Sequence, residues 1–324
     1  MRRGEKNRTS QREGIAALQG TIMVFLLFSI VSDNFFTVYN ISNVLKNSAV
    51  LFLVSIGITM AIVIGCNDIS AGSVMSVSGI ITALLLKNGF GLWTAIAAGL
   101  GTGILAGVLN GILIVWFQAN FWVATFATYS IAQGAALVMS NGNGIAGFPG
   151  AFRFLGTGRL AGIYVIVYLA FFMGAGAWFL MKKTRFGEHI YAVGGSEEIA
   201  RLCGLSVEKI KFGVFVLSGT LAGAAGILLA AKTNVAMPSG GAGYEFDAIA
   251  AAMIGGTSLE GGKGTIQGTA VGVFLITILR NGLTVLGISS VFHYLLIGLI
   301  IMGVIILDVT RTRVQERKKG GRRG

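Results

Sequence analysis

The sequence predicts an all-α fold, a polytopic bundle of transmembrane helices, on three observations. Of the 324 residues, 54% are hydrophobic and only 12% are charged, and the mean hydropathy is +0.78. Soluble domains carry about 25% charged residues. Apolar stretches of roughly 20 residues, the length that crosses a bilayer, recur along the chain. The 49 glycines are interleaved with Leu, Ile, Val and Phe, which is typical of closely packed membrane helices rather than of a flexible linker.

Basic residues are concentrated in three regions, which predicts the orientation. Lys and Arg cluster before position 13, in the polar segment 182–211, and after Asp308. Cytoplasmic loops carry the excess of Lys and Arg, so we expect all three regions in the cytoplasm. The net charge of +12 therefore reflects topology and some attraction to membrane lipid. Nucleic acid is not an expected partner, although RNA binding by the tail is the alternative.

Ten spans are predicted, with eight or nine as the alternatives. A chain that starts inside and returns inside must cross the membrane an even number of times, both before and after segment 182–211. We place the spans at 15–31, 47–64, 70–86, 92–117, 121–140, 161–181, 210–230, 246–256, 265–285 and 291–307. Segment 246–256 is too short to span alone, so we expect a partial or re-entrant helix completed by the surrounding backbone.

The same reading divides the chain into three parts. They are a cytoplasmic N-terminus at 1–14, a transmembrane domain at 15–309 that includes segment 182–211, and a basic cytoplasmic tail at 310–324.

A weak internal duplication is visible in the sequence. IGCNDISAGS, starting at Ile64, aligns with IGGTSLEGGK, starting at Ile254, at an offset of 190 residues (254 minus 64). A looser similarity relates GTGILAGVLNG, starting at Gly101, to GTAVGVFLITILRNG, starting at Gly268. Interrupted helices in duplicated transporters line the substrate site. Chance similarity between two glycine-rich stretches is the alternative.

Polar residues at these interruptions are candidates for the solute pathway. An acid between apolar spans requires a partner, a cavity or the membrane edge. Helix capping is the alternative for Asp68 and Ser70, and acids that open segment 246–256 would favour its helix dipole. We expect Arg280 to snorkel. The pathway candidates are Asn67, Asp68, Ser70, Ser73, Asp247, Thr257 and Ser258.

Several other kinds of site are not indicated by the sequence. TSLEGGKGT resembles a phosphate-binding loop, but Thr257 and Gly264 stand where that motif requires Gly and Ser or Thr. The two histidines have no companion ligands at metal spacing, and no nucleophile with a base indicates catalysis. We therefore expect no catalytic residue, metal or bound cofactor in this chain. Cys66 and Cys203 lie in unlike regions and are expected to be packing residues.

Segment 182–211 is expected to present a short helix to a soluble partner. Ser196 is a suitable N-cap, Glu197 and Glu198 complement the helix dipole, and Gly204 is a suitable C′ residue. Charged side chains are costly in hydrocarbon, so a polar segment of this size between spans is typical of an extramembrane contact surface.

Two blocks of the sequence resemble a known family. TRFGEHIYAVGGSEEIARLCGLSVEKIKFGVFVLSGTLAGAAGIL resembles the cytoplasmic coupling region of ribose-type permeases from bacterial ABC importers. YEFDAIAAAMIGGTSLEGGKGTIQGTAVGVFLITILRNGLTVLG, with LD closing the final span, resembles their C-terminal signature. The resemblance covers nearly the whole chain. It implies a permease subunit, not an enzyme, in the bacterial cytoplasmic (inner) membrane with both termini in the cytoplasm.

The resemblance also implies partners. These are a second permease, identical or a sister chain, cytoplasmic ABC ATPase subunits that would hold ATP and Mg, and an extracytoplasmic solute-binding protein. The implied solute is a small neutral sugar or polyol, or in some members a furanose autoinducer. The residues assigned to ATPase coupling are Gly194, Gly195, Ser196, Glu197, Glu198, Ala200, Arg201 and Gly204.

Departures from the family pattern leave the identity of the solute open. GCNDIS replaces the usual GGIDLS, and Glu188 and Ser196 stand where the family has Arg and Asn. The family's Pro before the fifth span is missing. The alternative function is an ion-coupled secondary transporter or channel, in which Asp68 and Asp247 would bind the ion. A membrane-embedded enzyme is a third possibility, disfavoured by the lack of a catalytic constellation.

Overall fold

The computed structural model describes residues 2–289 together with Phe292, Leu295, Gly298, Leu299 and Met302. The helices are α1 (Arg2–Val31), α2 (Val38–Val63), α3 (Ala71–Lys87), α4 (Leu92–Val115), α5 (Phe121–Met139), α6 (Gly150–Thr157), α7 (Val165–Lys183), α8 (Arg185–Gly195), α9 (Glu197–Leu202), α10 (Val207–Thr233), α11 (Tyr244–Ile254) and α12 (Ile266–Val285). The strands are β1 (Ile145–Ala146), β2 (Arg159–Leu160), β3 (Ile163–Tyr164) and β4 (Val235–Ala236). Antiparallel pairs form between β1 and β4 and between β2 and β3.

The prediction of an all-α polytopic membrane protein is confirmed. Six described helices are long and apolar enough to cross a membrane, namely α2, α4, α5, α7, α10 and α12, and Ala17–Val31 and α3 are shorter apolar helices. Helix α11 has 11 residues, so the partial helix expected at 246–256 is also confirmed. The predicted tail 310–324 and most of the span 291–307 lie outside the described residues. The count of ten spans therefore stays a prediction.

One predicted span start is wrong for a local reason, while the division of the chain at residue 14 stays a prediction. Helix α1 runs from Arg2 to Val31 and crosses residue 14 without a break. Helix α2 begins at Val38 rather than near residue 47, because Thr37 caps it by accepting a hydrogen bond from the Asn40 amide. The amide side chain of Asn40 pairs with that of Asn281 in α12 through two hydrogen bonds of 2.8 Å. This pairing lets a polar first turn fit into the bundle.

Helices α4 and α10 approach each other closely. Glycines recur at every fourth residue of α4, at Gly99, Gly103, Gly107 and Gly111. A Cβ at Gly103 would collide with the carbonyl oxygen of Gly219 in α10 and lie 3.0 Å from the Cα of Gly223. The expected use of glycine to bring helix backbones together is therefore confirmed.

The bundle has two recognisable ends. One end carries α8 and α9 from the polar segment 182–211, and we call it the island end. The end of α2 and the segment before α12 lie there too, because the Gly262 amide donates to Val63 and the Tyr191 hydroxyl donates to Gly264. The opposite end carries α6, both strand pairs and the Asn40–Asn281 pair.

Candidate coupling surface and solute pathway

Helices α8 and α9 form a capped helical pair at the island end. The Thr184 hydroxyl caps α8 by accepting from the Gly187 amide at 3.3 Å. Ser196 breaks the helix with extended backbone, and its hydroxyl caps α9 by accepting from the Ile199 amide at 3.3 Å. Gly204 follows α9 with a φ of +80°, a conformation that glycine adopts without strain. The short helix predicted from Ser196 to Gly204 is confirmed, with both termination signals.

Ion pairs fix α9 against the start of α10. Glu197 accepts from Lys211 at 2.6 Å and from Arg201 at 3.2 Å, and Arg201 also pairs with Glu208. Partial burial opposes ionisation of Glu197, but the bond from Lys211 and the nearby Arg201 hold the pKa of this carboxyl below its ordinary value. The carboxylate is therefore charged at neutral pH, and α9 is held in one orientation.

The remaining faces of α9 divide into a buried side and an exposed side. Ala200 is buried, so this predicted coupling residue packs the helix onto the protein and does not face outward. Ile199 is 62% exposed and Leu202 is 81% exposed, beside the exposed Glu198. Sequence reasoning missed both apolar residues, although their spacing of three places them on one helix face.

The two cysteines differ in their surroundings. Cys66 is buried, as expected of a packing residue. Cys203 is exposed, so that prediction is wrong for Cys203 because it lies beyond the last turn of α9, outside the packed core.

Glycines from three segments meet at the end of α8. Gly65 follows α2, Gly194 and Gly195 end α8, and Gly261 and Gly262 precede α12; we call these five residues the glycine junction. A Cβ at Gly194 would collide with the Val63 carbonyl oxygen and lie 2.7 Å from the Gly262 nitrogen, and a Cβ at Gly261 would lie 2.9 Å from the Gly194 oxygen. The Gly262 amide donates to the Val63 carbonyl oxygen at 2.8 Å. Backbone thus packs on backbone between α8 and the ends of both interrupted helices.

The two helix interruptions end their helices in the same way. After α2, the amides of Gly65 and Cys66 donate to Ile62 and Ala61, and after α11, the amides of Gly256 and Thr257 donate to Met253 and Ala252. The structural offset is therefore 191 residues (256 minus 65) rather than the predicted 190. The looser similarity pairs α4 with α12, whereas α3 is the helix that follows the first interruption, so the topology does not support it.

Asp68 lies at the centre of a buried hydrogen-bond network. One carboxylate oxygen accepts from the Ser70 amide at 3.0 Å and from the Ser70 hydroxyl at 2.6 Å, and the other accepts from Ser218 of α10 at 2.7 Å. Asn110 of α4 donates to the Ser70 hydroxyl at 2.9 Å. Ser70 is the N-cap residue of α3, but its side chain makes no cap hydrogen bond. The network therefore fastens the first interruption to α4 and α10.

The other predicted pathway residues of the first interruption are also buried and hydrogen-bonded. Asn67 is buried and accepts from the Asp68 amide, and Ser73 is buried and donates to the Ser70 carbonyl. Ser218 and Asn110 were not predicted. Each is a polar residue within an apolar span, which is the signal that would have identified them.

Asp247 belongs to a separate network near the opposite end. Its carboxylate pairs with Arg280 of α12 at 2.8 Å. The prediction that Arg280 snorkels is therefore wrong, since its charge is used within the bundle. The structure does not join Asp247 to the Asp68 network.

Thr257 and Ser258 lie in the second interruption. Thr257 is buried, and its hydroxyl finds no hydrogen-bond partner among the described residues. Ser258 is half-buried, and its amide donates to the Lys263 carbonyl. Thr257 thus carries an unsatisfied polar group beside the glycine junction.

Comparison with protein families finds one matching model. Residues 40–305 match the family described as branched-chain amino acid transport system / permease component. The ribose import permease protein RbsC of Escherichia coli (strain K12) is 34% identical over 296 residues, which cover 90% of this chain and 92% of the relative. RbsC of Bacillus subtilis (strain 168) is 37% identical over 294 residues, covering 89% of this chain and 90% of the relative.

A solved structure has the same fold. It is an inward-facing conformation of a metal-chelate type ABC transporter, and it matches with a TM-score of 0.52 over 91% of this chain and 99% of its own chain. The sequence identity is 13%, so this similarity concerns the fold alone.

Proposed function

Because this chain belongs to the family of permease components defined by the branched-chain amino acid transport systems, we propose that it is the membrane-embedded permease subunit of an ATP-driven ABC importer. It is a multi-pass transport subunit and not an enzyme. The relatives that align with nine-tenths of its length are likewise import permeases. In the proposed assembly it pairs with a second permease, either identical or a sister chain. ATP and Mg bind to separate ATPase subunits, and this chain binds no cofactor.

The observation that carries this proposal is that α9 exposes apolar side chains at the surface while ion pairs fix its position. A short helix exposes Ile199 and Leu202, while ion pairs from Glu197 and Arg201 hold its polar side against α10. An exposed apolar pair on a helix that ion pairs hold in place is suited to fill a cleft on a soluble partner. We assign that partner as the ATPase, and we propose accordingly that the island end and both termini face the cytoplasm at a bacterial inner membrane. The solute-binding protein would then meet the opposite end.

The solute proposed is a small neutral sugar or a sugar-like molecule. The relatives are named for ribose import, whereas the family description names branched-chain amino acids, so the family alone does not identify the solute. Two buried acids have partners within the bundle, which suits neutral cargo, since Asp247 is paired with Arg280 and both oxygens of Asp68 accept from serine. Glu245 is also buried, and one of its carboxylate oxygens has no partner among the described residues. A neutral solute avoids the cost of desolvating a charge.

Those contacts weigh against the ion-coupled carrier. A coupling-ion site requires carboxylate oxygens that can exchange their partners. Asp247 instead faces a guanidinium, and both oxygens of Asp68 already accept hydrogen bonds.

The pathway is proposed to pass beside the two helix interruptions. Thr257 and Ser258 would contact the solute, while Asp68, Ser70 and Asp247 would fix the helices around it, with Asn67 and Ser73 beside them. The unpaired Thr257 hydroxyl supports this role, because a sugar hydroxyl would satisfy it.

Replacing Leu202 by Glu tests the coupling role. A charge placed in an apolar docking face should lower the amount of ATPase that co-purifies by about tenfold. This corresponds to a loss of roughly 1.4 kcal/mol in binding free energy. The control is Leu160→Glu, an exposed leucine at the opposite end, which should retain the ATPase. Full ATPase retention and normal uptake in the Leu202 variant would contradict the assignment.

Replacing Thr257 by Val tests the pathway. Loss of one hydrogen bond to the solute, worth about 1 kcal/mol, should raise the half-saturating solute concentration about fivefold in proteoliposomes that contain the ATPase and binding protein. Thr102→Val is the control, because the Thr102 hydroxyl donates within its own helix to Ala98. An unchanged concentration dependence in the Thr257 variant would remove this residue from the pathway.

A further inference from the structure

A groove opens between α7 and α12, with α2 as its floor. It has a volume of about 330 Å³, and its floor is formed by Ser48 and Phe52 of α2. Ala175 and Trp178 of α7 form one wall, and Gln267 and Phe274 of α12 form the other. A Cβ at Gly174 would collide with the Phe52 ring, so the floor is packed firmly against α7. We call this feature the α7–α12 groove.

The length of the groove matches one leaflet of a bilayer. Its α7 wall extends from Val167 to Trp178, which is about 16 Å at the helical rise of 1.5 Å per residue. Half of the hydrocarbon core is about 15 Å. Because the lining is almost entirely apolar and belongs to membrane-spanning helices, hydrocarbon is the matching occupant.

Besides Ser48 on its floor, the polar residues of the groove lie at the island end. Trp178 and Gln267 lie there, near the end of α7 and the start of α12. The Lys182 ammonium lies 5.4 Å from the centre of the Trp178 ring and is exposed. The indole N–H of Trp178 is shielded from water and has no acceptor among the described residues. The accessible group at this mouth is therefore the Lys182 ammonium, whose positive charge complements a phosphate.

We propose that the α7–α12 groove binds one anionic phospholipid, with an acyl chain along α2 and the phosphate beside Lys182 and Trp178. A basic residue at the membrane surface contributes about 1 kcal/mol to binding of anionic lipid. The acyl chain fills the space between α7 and α12 and thereby couples the two walls. The proposal rests on the groove and its mouth, and it does not depend on the identity of the transported solute.

Native mass spectrometry of the purified full-length protein tests this proposal. After exchange into detergent with equal amounts of phosphatidylglycerol and phosphatidylcholine, we expect one retained phospholipid per chain with phosphatidylglycerol preferred. Ala175→Phe fills the groove and should abolish retention. Ala97→Phe makes the same change at an exposed residue of α4 and should leave retention intact.

The headgroup contact has its own matched pair. Lys182→Gln should reduce the preference for phosphatidylglycerol about fivefold, the equivalent of about 1 kcal/mol. Lys183→Gln, at the neighbouring exposed lysine, should preserve the preference. Equal retention in wild type and Ala175→Phe, or no charge preference in the wild type, would overturn the proposal. Efficient cross-linking of two chains through Ala175→Cys would overturn it in favour of a second copy as the occupant.

Discussion

The two helix interruptions end in the same hydrogen-bond pattern but are filled differently. The first, at 64–70, is short and is closed by side chains, with Asp68 accepting from Ser70 and Ser218. The second, at 255–265, is longer and makes its contacts through backbone, with Gly261 and Gly262 at positive φ against α8. The difference indicates that the first interruption is a fixed joint inside the bundle. The second lies against α8 through backbone contacts.

The largest predicted effect is loss of the carboxylate in the fixed joint. Asp68→Ala leaves buried donors on Ser70 and Ser218 without an acceptor, and each such group costs about 1–3 kcal/mol. We expect a loss of about 3 kcal/mol in stability, measured by thermal unfolding in detergent. Glu260→Ala, at an exposed acid of the second interruption, should change stability by less than about 0.5 kcal/mol. Equal shifts for the two variants would remove the distinction.

An intermediate effect is expected at the glycine junction. Gly194→Ala pushes a methyl group against the Val63 carbonyl, and such overpacking costs about 1–3 kcal/mol. Because the added group separates α8 from the ends of both interrupted helices, uptake per ATP hydrolysed should fall. Gly195→Ala is a matched control, since its Cβ would meet no atom within 4 Å. Similar uptake in the two variants would show that α8 does not act through the junction.

The smallest effect concerns a single side chain that reaches the second interruption. Tyr191→Phe removes the 2.7 Å bond from the tyrosine hydroxyl to the Gly264 carbonyl, worth about 1 kcal/mol. We expect a small drop in thermal stability together with weaker stimulation of the partner ATPase by solute. Tyr39→Phe, at an exposed tyrosine of α2, should change neither. A Tyr191 variant indistinguishable from wild type would confine the contact with α8 to the glycine junction.

Features that depend on neighbours in the chain could be predicted from the sequence. The Ser196 cap, the partial helix at α11 and the use of glycine for close packing follow from local residue types. The spacing of Ile199 and Leu202 also indicates that they share one face of α9. Whether that face is exposed depends on which side of the helix packs onto the protein through Ala200.

Features that depend on distant packing could not be predicted in the same way. The Arg280–Asp247 pair joins two helices, and nothing in the sequence around residue 40 indicates that Asn40 pairs with Asn281. Matching residue identities gives the repeat an offset of 190 residues, one fewer than the structural offset of 191. Its structural counterpart is the hydrogen-bond pattern after Ile62 and Met253, which identities do not record.

The first helix packs apart from the main core, and this has a consequence for biosynthesis. Phe28 of α1 and Phe35 cluster with Val44 and Ile278, and the Phe28 ring covers Gly282 of α12. Helix α1 is synthesised well before the α12 surface that receives it. During that interval the α12-facing side of α1 lacks its cover, and its exposed Met23 and Ile30 suit the helix to lipid. Docking of α1 against α12 therefore follows the synthesis of α12.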